Sequence, residues 1–199
     1  MNKYELTDET KVFYGVTLHR IRALTAVGVL AAAGQLGGWV ESEKNLEQSG
    51  NAWVSGNAWV SGNAQVFGNA WVYGNAQVSG NAWVSGNAWV SGNAWVSGNA
   101  QVFGNARVSG NARVSKTRHY LLIGPVGSED RTVTICRTRA DDTTGHYVQA
   151  GCWAGTVDQL AERITTAWPD LSEKKRARYR GEYEAVIALA RPRIERWVK

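Results

Sequence analysis

The chain has 199 residues, 44% hydrophobic and 20% charged, which gives room for one substantial domain or two small ones in a soluble protein. Its 22 basic and 17 acidic side chains leave a formal charge of +5, enough to admit an anionic partner and too little to require nucleic acid. No stretch approaches the roughly 20 apolar residues of a membrane helix, because the longest, residues 23–33, is short and rich in Ala and Gly.

The first ten residues lack the basic start and apolar run of a secretory signal, so a cytoplasmic location is expected. Residues 11–24 are rich in Val, Thr, Tyr and Ile and are broken by Gly15, a pattern that predicts a small hairpin. Gly37-Gly38-Trp39-Val40 then reads as a six-residue unit out of phase by two with the regular units downstream, and residues 45–49 read as a degenerate unit in phase. Residues 1–49 are therefore expected to form a cap and irregular first coils, since a stack of strands needs atypical ends to block end-to-end growth.

From Gly50 to Ser115 the sequence Gly-Asn-Ala-X-Val-X recurs eleven times without insertion, the mark of a coil stacked on itself. Within each unit Ala and Val are two apart and face one side, inward, while the X residues face outward. Gly can take a positive φ and Asn tolerates the left-handed region, so Gly-Asn is expected to form the corner. Three units close one coil, residues 18 apart stack at roughly 4.8 Å, and residues 50–115 make about 3.7 coils. The pattern resembles the left-handed parallel β-helix of hexapeptide-repeat proteins, and that resemblance implies the handedness.

Stacking by 18 assigns the outward residues to faces. The first carries Trp53, Trp71, Trp89 and Arg107, with Tyr73 beside them; the second carries Trp59, Gln77, Trp95 and Arg113; the third carries Gln65, Trp83 and Gln101, with Phe67 and Phe103 beside them. Trp occurs 10 times against 3 Phe, and most of that excess lies here. Rows of exposed Trp are costly to leave in water, so Trp53, Trp59, Trp71, Tyr73, Trp89, Trp95, Arg107 and Arg113 are the candidate oligomer or ligand face. Self-association as a trimer is the expected use, and stacking of bases or sugars is the rival.

Residues 116–199 change character. Strand-like runs at 119–123, 131–138 and 146–149 precede a capping-box pattern at Thr156 and Gln159, a helix ended by Pro169, and a second helix from about Ser172 with Pro192 as a kink or break. The expected unit is β-β-β-α-α, and the whole chain is read as mainly β with a small C-terminal α+β domain. Lys174, Lys175, Arg176, Arg178 and Arg180 are its concentrated positive charge, a solvated helix face or a contact for an anion or partner.

Nothing predicts catalysis. His19, His119 and His146 all lie outside the repeat, whereas hexapeptide acyltransferases need a histidine base and the related zinc enzymes need three histidines between coils. Cys136 and Cys152 have no metal-ligand spacing and are read as small buried hydrophobes. No cofactor or metal is expected.

The motifs Tyr4-Glu5-Leu6-Thr7-Asp8-Glu9-Thr10, Leu18-His19-Arg20-Ile21, Leu36-Gly37-Gly38-Trp39-Val40-Glu41, the repeat, and Gly151-Cys152-Trp153-Ala154-Gly155-Thr156 together resemble uncharacterised polymer-forming proteins of tailed bacteriophages and prophages. The resemblance implies a phage protein acting in the cytoplasm of an infected bacterium. The expected role is a non-enzymatic, oligomeric β-helix scaffold whose C-terminal domain binds a host protein, for example to inhibit a host defence. The alternatives are a structural part of the virion or a filament, and a nucleotide- or sugar-binding platform.

Overall fold

A computed structural model describes residues 2–138 and 145–198. The chain divides after Arg118 into two compact units. The first is the solenoid with its N-terminal cap, and the second carries an antiparallel sheet and two helices.

In the solenoid, eleven two-residue strands, β4 to β14, stand at every X-Val pair from Trp53–Val54 to Arg113–Val114. They stack as parallel strands in three sheets, and every partner is 18 residues away: Trp53 on Trp71, Trp71 on Trp89, and Trp89 on Arg107. The second face runs Trp59, Gln77, Trp95, Arg113, and the third runs Gln65, Trp83, Gln101. The expected columns hold. Every Ala and Val of the repeat is fully buried, so the interior is two small apolar side chains per side.

The corner works differently from the expectation. Each repeat glycine sits at φ between +58° and +70°, but no asparagine of the repeat adopts a positive φ. The asparagines stack instead. Asn51 donates to Asn69, Asn69 to Asn87 and Asn87 to Asn105, at 3.1–3.2 Å, and two like ladders run up the other corners. A primary amide carries both donor and acceptor, so it can bond to its own copy above and below.

The cap begins with a hairpin longer than expected, β1 (Tyr4–Phe13) against β2 (Val16–Ala23), turning at Tyr14 and Gly15, both at positive φ. β2 pairs antiparallel with β3 (Leu36–Val40), and β3 pairs parallel with the strand Trp59–Val60 of the second face. Trp39 meets Trp59, a separation of 20 rather than 18, as the two-residue phase shift requires. Leu46 corrects the sequence reading, because it bridges to Val66 and so shares the same shift instead of lying in phase. Regular stacking resumes at Asn51, and Gln48 and Ser49 make up the difference. Gln48 turns its amide oxygen to the backbone N–H groups of Lys3 and Tyr4, at 2.9 and 3.2 Å.

In the second unit, β15 (Tyr120–Val126), β16 (Arg131–Arg137), β17 (His146–Ala150) and β18 (Trp153–Gly155) form an antiparallel meander. The fourth strand is not predicted by the sequence, being only three residues long and containing a glycine. Thr156 and Gln159 form the anticipated capping box on α1 (Val157–Thr166). A second cap comes from His146, whose Nε2 accepts from the N–H of Val157 at 2.9 Å. α2 (Glu173–Val198) continues as one helix through Pro192, which excludes the break, one of the two outcomes expected there. Ile194 and Trp197, beyond the proline, pack on the core around Val133, Ile135, Leu160 and Ile187, which offsets the lost backbone hydrogen bond. Arg137 and Thr138 end the second strand-like run, and residues 139–144 lie outside the described residues.

The corner chemistry separates two substitutions in one coil. Gly86→Ala forces a side chain onto φ +66°, with its Cβ only 2.9 Å from the backbone N of Gly104. It is expected to cost about 2 kcal/mol or more. Asn87→Ala, which only interrupts an exposed ladder, is expected to cost about 1 kcal/mol. Urea denaturation of both variants beside the wild type checks the order; equal losses would show that the corner does not need glycine.

Candidate functional site

The outward residues of the coils fall into three environments. Trp53 is fully buried, a correction to its expected place on an exposed face. Tyr4 lies edge-on to it with ring centroids 6.4 Å apart, and Gly37 leaves so little room that a Cβ there would approach the Trp53 ring to 2.7 Å. The Tyr4 hydroxyl donates to the carbonyls of Leu46 and Glu43, which fixes the lid over the indole. Trp59 is also covered, because Phe13 of the hairpin lies 5.3 Å from it and Leu18 and Trp39 complete the cluster. Lys11 stands over Trp39 at 4.2 Å.

Trp71 and Trp89 form the second environment, half-buried by one another. Trp71 stacks on Tyr73 at 4.0 Å, meets Trp89 edge-on at 5.6 Å, and donates its indole N–H to Ser55 at 2.9 Å. Arg107 closes the column with its guanidinium 4.1 Å over the Trp89 ring. On the second face Trp95 repeats the device, donating to Ser79 and lying beneath Arg113. Arg113 also donates to the Asn93 carbonyl at 2.7 Å. Serines thus meet the indole N–H groups of Trp71 and Trp95, and an arginine lies over each of the rings of Trp89 and Trp95.

The third face is the barest. Trp83 is 46% exposed and Phe103 49%, the largest exposures among the aromatic side chains of the repeat, and Phe67 lies edge-on to Trp83 at 6.2 Å. The sequence places these residues correctly but does not single them out. Burial of the neighbouring faces depends on the hairpin and on the Ser and Tyr partners, which the repeat pattern alone does not reveal.

The basic cluster of α2 is dispersed. Arg178 pairs with Glu182 at 3.0 Å, and Arg180 donates to the Thr165 carbonyl at the end of α1, a favourable place for a cation. Lys174 and Lys175 are exposed. Glu182 turns its other oxygen to the N–H of Gly127, and that backbone bond, helped by Arg178, holds its carboxyl below the usual range.

A family model described as YdcK beta solenoid repeat matches residues 64–80, 76–92, 82–98 and 100–116. All four matches fall in the coils, and with the stacked strands they show a β-solenoid of about four turns in a mainly β chain with a C-terminal helical part. Among curated proteins, none matches the chain.

The two cysteines are not equivalent, a correction for Cys152, which is exposed. Cys136 is fully buried in β16, and burial pushes its thiol up to about 12. At pH 8 native protein should therefore take up one equivalent of iodoacetamide, at Cys152, and two after denaturation in urea. Mass spectrometry of the alkylated peptides checks this, and rapid native labelling of Cys136 would contradict its burial.

Proposed function

We propose that the chain is a non-enzymatic, phage-encoded accessory protein whose solenoid, of the left-handed hexapeptide type, is an oligomerising scaffold. Its C-terminal domain makes the specific contact with a host protein. The observation that carries the reading is the uneven cover on the coils. The chain spends a hairpin on Trp53 and Trp59 and pairs Trp71 and Trp89 with their own neighbours, yet it leaves Trp83 and Phe103 about half exposed on one face. Apolar surface repeated at a fixed rise is matched best by an object of the same rise, and a second copy of the chain is the nearest such object. Recognition of an unlike partner needs irregular chemistry, which is concentrated in the second unit. A trimer of solenoids would offer that unit in several copies and raise avidity without new contacts.

The association is expected to run through the third face. Sedimentation of wild type, Trp83→Glu and Trp71→Glu at micromolar concentration should give a trimer for the wild type, a monomer for Trp83→Glu, and an intact trimer for Trp71→Glu. A monomeric wild type would refute self-association, and the converse pattern would move the contact to the first face.

The division of labour has its own test. A chain ending at Arg118 is expected to assemble as the full chain does, but to retain no host protein in a pull-down from infected cells that the full chain captures. Retention by the truncated chain would favour the ligand-platform reading, with Trp89, Arg107, Trp95 and Arg113 as the contact. Recovery of the protein in purified particles would favour a virion component.

A further inference from the structure

The second unit holds a cleft that solenoid association does not use. It has a volume of about 400 Å³ and opens between the β15–β16 turn, the β17–β18 turn, the last turns of α1 and the link from α1 to α2. Its size falls in the range of small-molecule sites.

The lining is aromatic and cationic. Trp153, Trp168 and Tyr183 supply the rings, and Glu129, Arg131 and Arg163 supply the charges, a surplus of one positive charge. Arg131 is paired with Glu129. Arg163 has no carboxylate partner among the described residues, and its guanidinium lies 5.9 Å from the Trp153 ring. The end of α1 also borders the cleft and would repel an anion, but Arg180 already engages the Thr165 carbonyl there.

The rings are held with backbone strain. Trp168 adopts φ +60°, in the left-handed region that an aromatic residue rarely occupies, and Asp130 in the β15–β16 turn adopts φ +48°. For Trp168 the return is a fixed indole, whose N–H donates to Ser128 at 3.0 Å and whose ring lies 5.7 Å from Tyr183 at 31°. Tyr183 in turn fits only because residue 127 is glycine, since a Cβ there would come within 2.7 Å of its ring. The left-handed backbone at Trp168 fixes its ring beside the cleft, as a preformed pocket requires.

We propose that this cleft binds a small anion carrying a flat ring, of the aryl phosphate or aromatic carboxylate class, with Arg163 meeting the anionic group and Trp153, Trp168 and Tyr183 receiving the ring. Guanidinium forks match phosphate and carboxylate geometry, and aromatic walls select a planar body. A bulky or dicationic ligand is excluded by the size and the charge.

Phenyl phosphate is the probe, titrated calorimetrically into the full-length protein, with inorganic phosphate and benzyl alcohol as separate tests of anion and ring. The expected result is a Kd for phenyl phosphate below about 1 mM, with neither half-ligand saturating by about 10 mM. Arg163→Gln should weaken binding about tenfold or more while its thermal transition stays close to that of the wild type. Cys152 lines the same cleft, so phenyl phosphate should also slow its alkylation in the wild-type protein, a readout that needs no variant. The proposal is overturned by no saturable binding of phenyl phosphate or benzoate at about 10 mM, by undiminished binding to Arg163→Gln, or by alkylation of Cys152 that ignores the probe. None of these outcomes bears on capture of a host protein or on sedimentation.

Discussion

Every residue of the solenoid is constrained by having to lie on its own counterpart. Parallel strands pair at intervals of 18 residues, so each side chain meets the side chain one coil above and one coil below at roughly 4.8 Å. Ala and Val pass that test in the interior, and Asn passes it at the corner because its amide can both give and accept a hydrogen bond. Aromatic rings pass it on the faces. Charged residues do not, since like charges directly opposite one another repel. The repeat has no acidic residue, and its two arginines occur one to a face, Arg107 over Trp89 and Arg113 over Trp95. Each stacks on an indole, never on another arginine.

The same constraint explains the form of the cap. A stack that continued in register would offer its last strand as a template for another chain, so the regularity has to fail at the end. It fails by two residues. Gln48 and Ser49 shift the stacking interval from 18 to 20, which carries Trp39 and Leu46 onto Trp59 and Val66 while β2 covers the edge of β3 in the antiparallel sense. Side chains of the cap meet several backbone groups at the irregularity, while the buried Trp53 indole nitrogen has no partner. Asn45 donates to the carbonyls of Gly62 and Ala64, and the carboxylates of Glu41 and Glu47 accept from the N–H groups of Gly62 and Gly68. For Glu47 that backbone bond holds the carboxyl below its ordinary range.

Legibility in the sequence followed periodicity. The pairing of Trp53 with Trp71 and of Trp95 with Arg113 could be read by counting, because the unit length never varies between residues 50 and 115. The capping box at Thr156 was equally plain, since its two side chains act within three residues. The burial of Trp53 was not legible. It depends on Tyr4, a contact 49 residues distant in sequence that no local pattern encodes. The passage of α2 through Pro192 was hidden for a like reason, because the stabilising contacts of Ile194 and Trp197 are tertiary. The cleft was the least visible feature, being assembled from turns and element ends that share no motif.

These two kinds of order set what each unit can do. A solenoid side chain is chosen jointly with its copies, so the faces vary slowly and can distinguish one end from the other only by gradual change, as from Trp53 to Arg107 along the first face. The second unit has no such coupling, and its side chains take unrelated roles: His146 caps the start of α1, Arg180 engages the end of the same helix, and Glu182 ties α2 to the turn at Gly127. Strain is likewise kept out of the coils, although the cap accepts it at Tyr14 in its hairpin turn. In the coils positive φ is assigned only to glycine, whereas the second unit accepts it at Asp130 and Trp168, beside its cleft. Among the described residues, positive φ at residues other than glycine is confined to connections outside the repeat, where a side chain need not match a copy of itself.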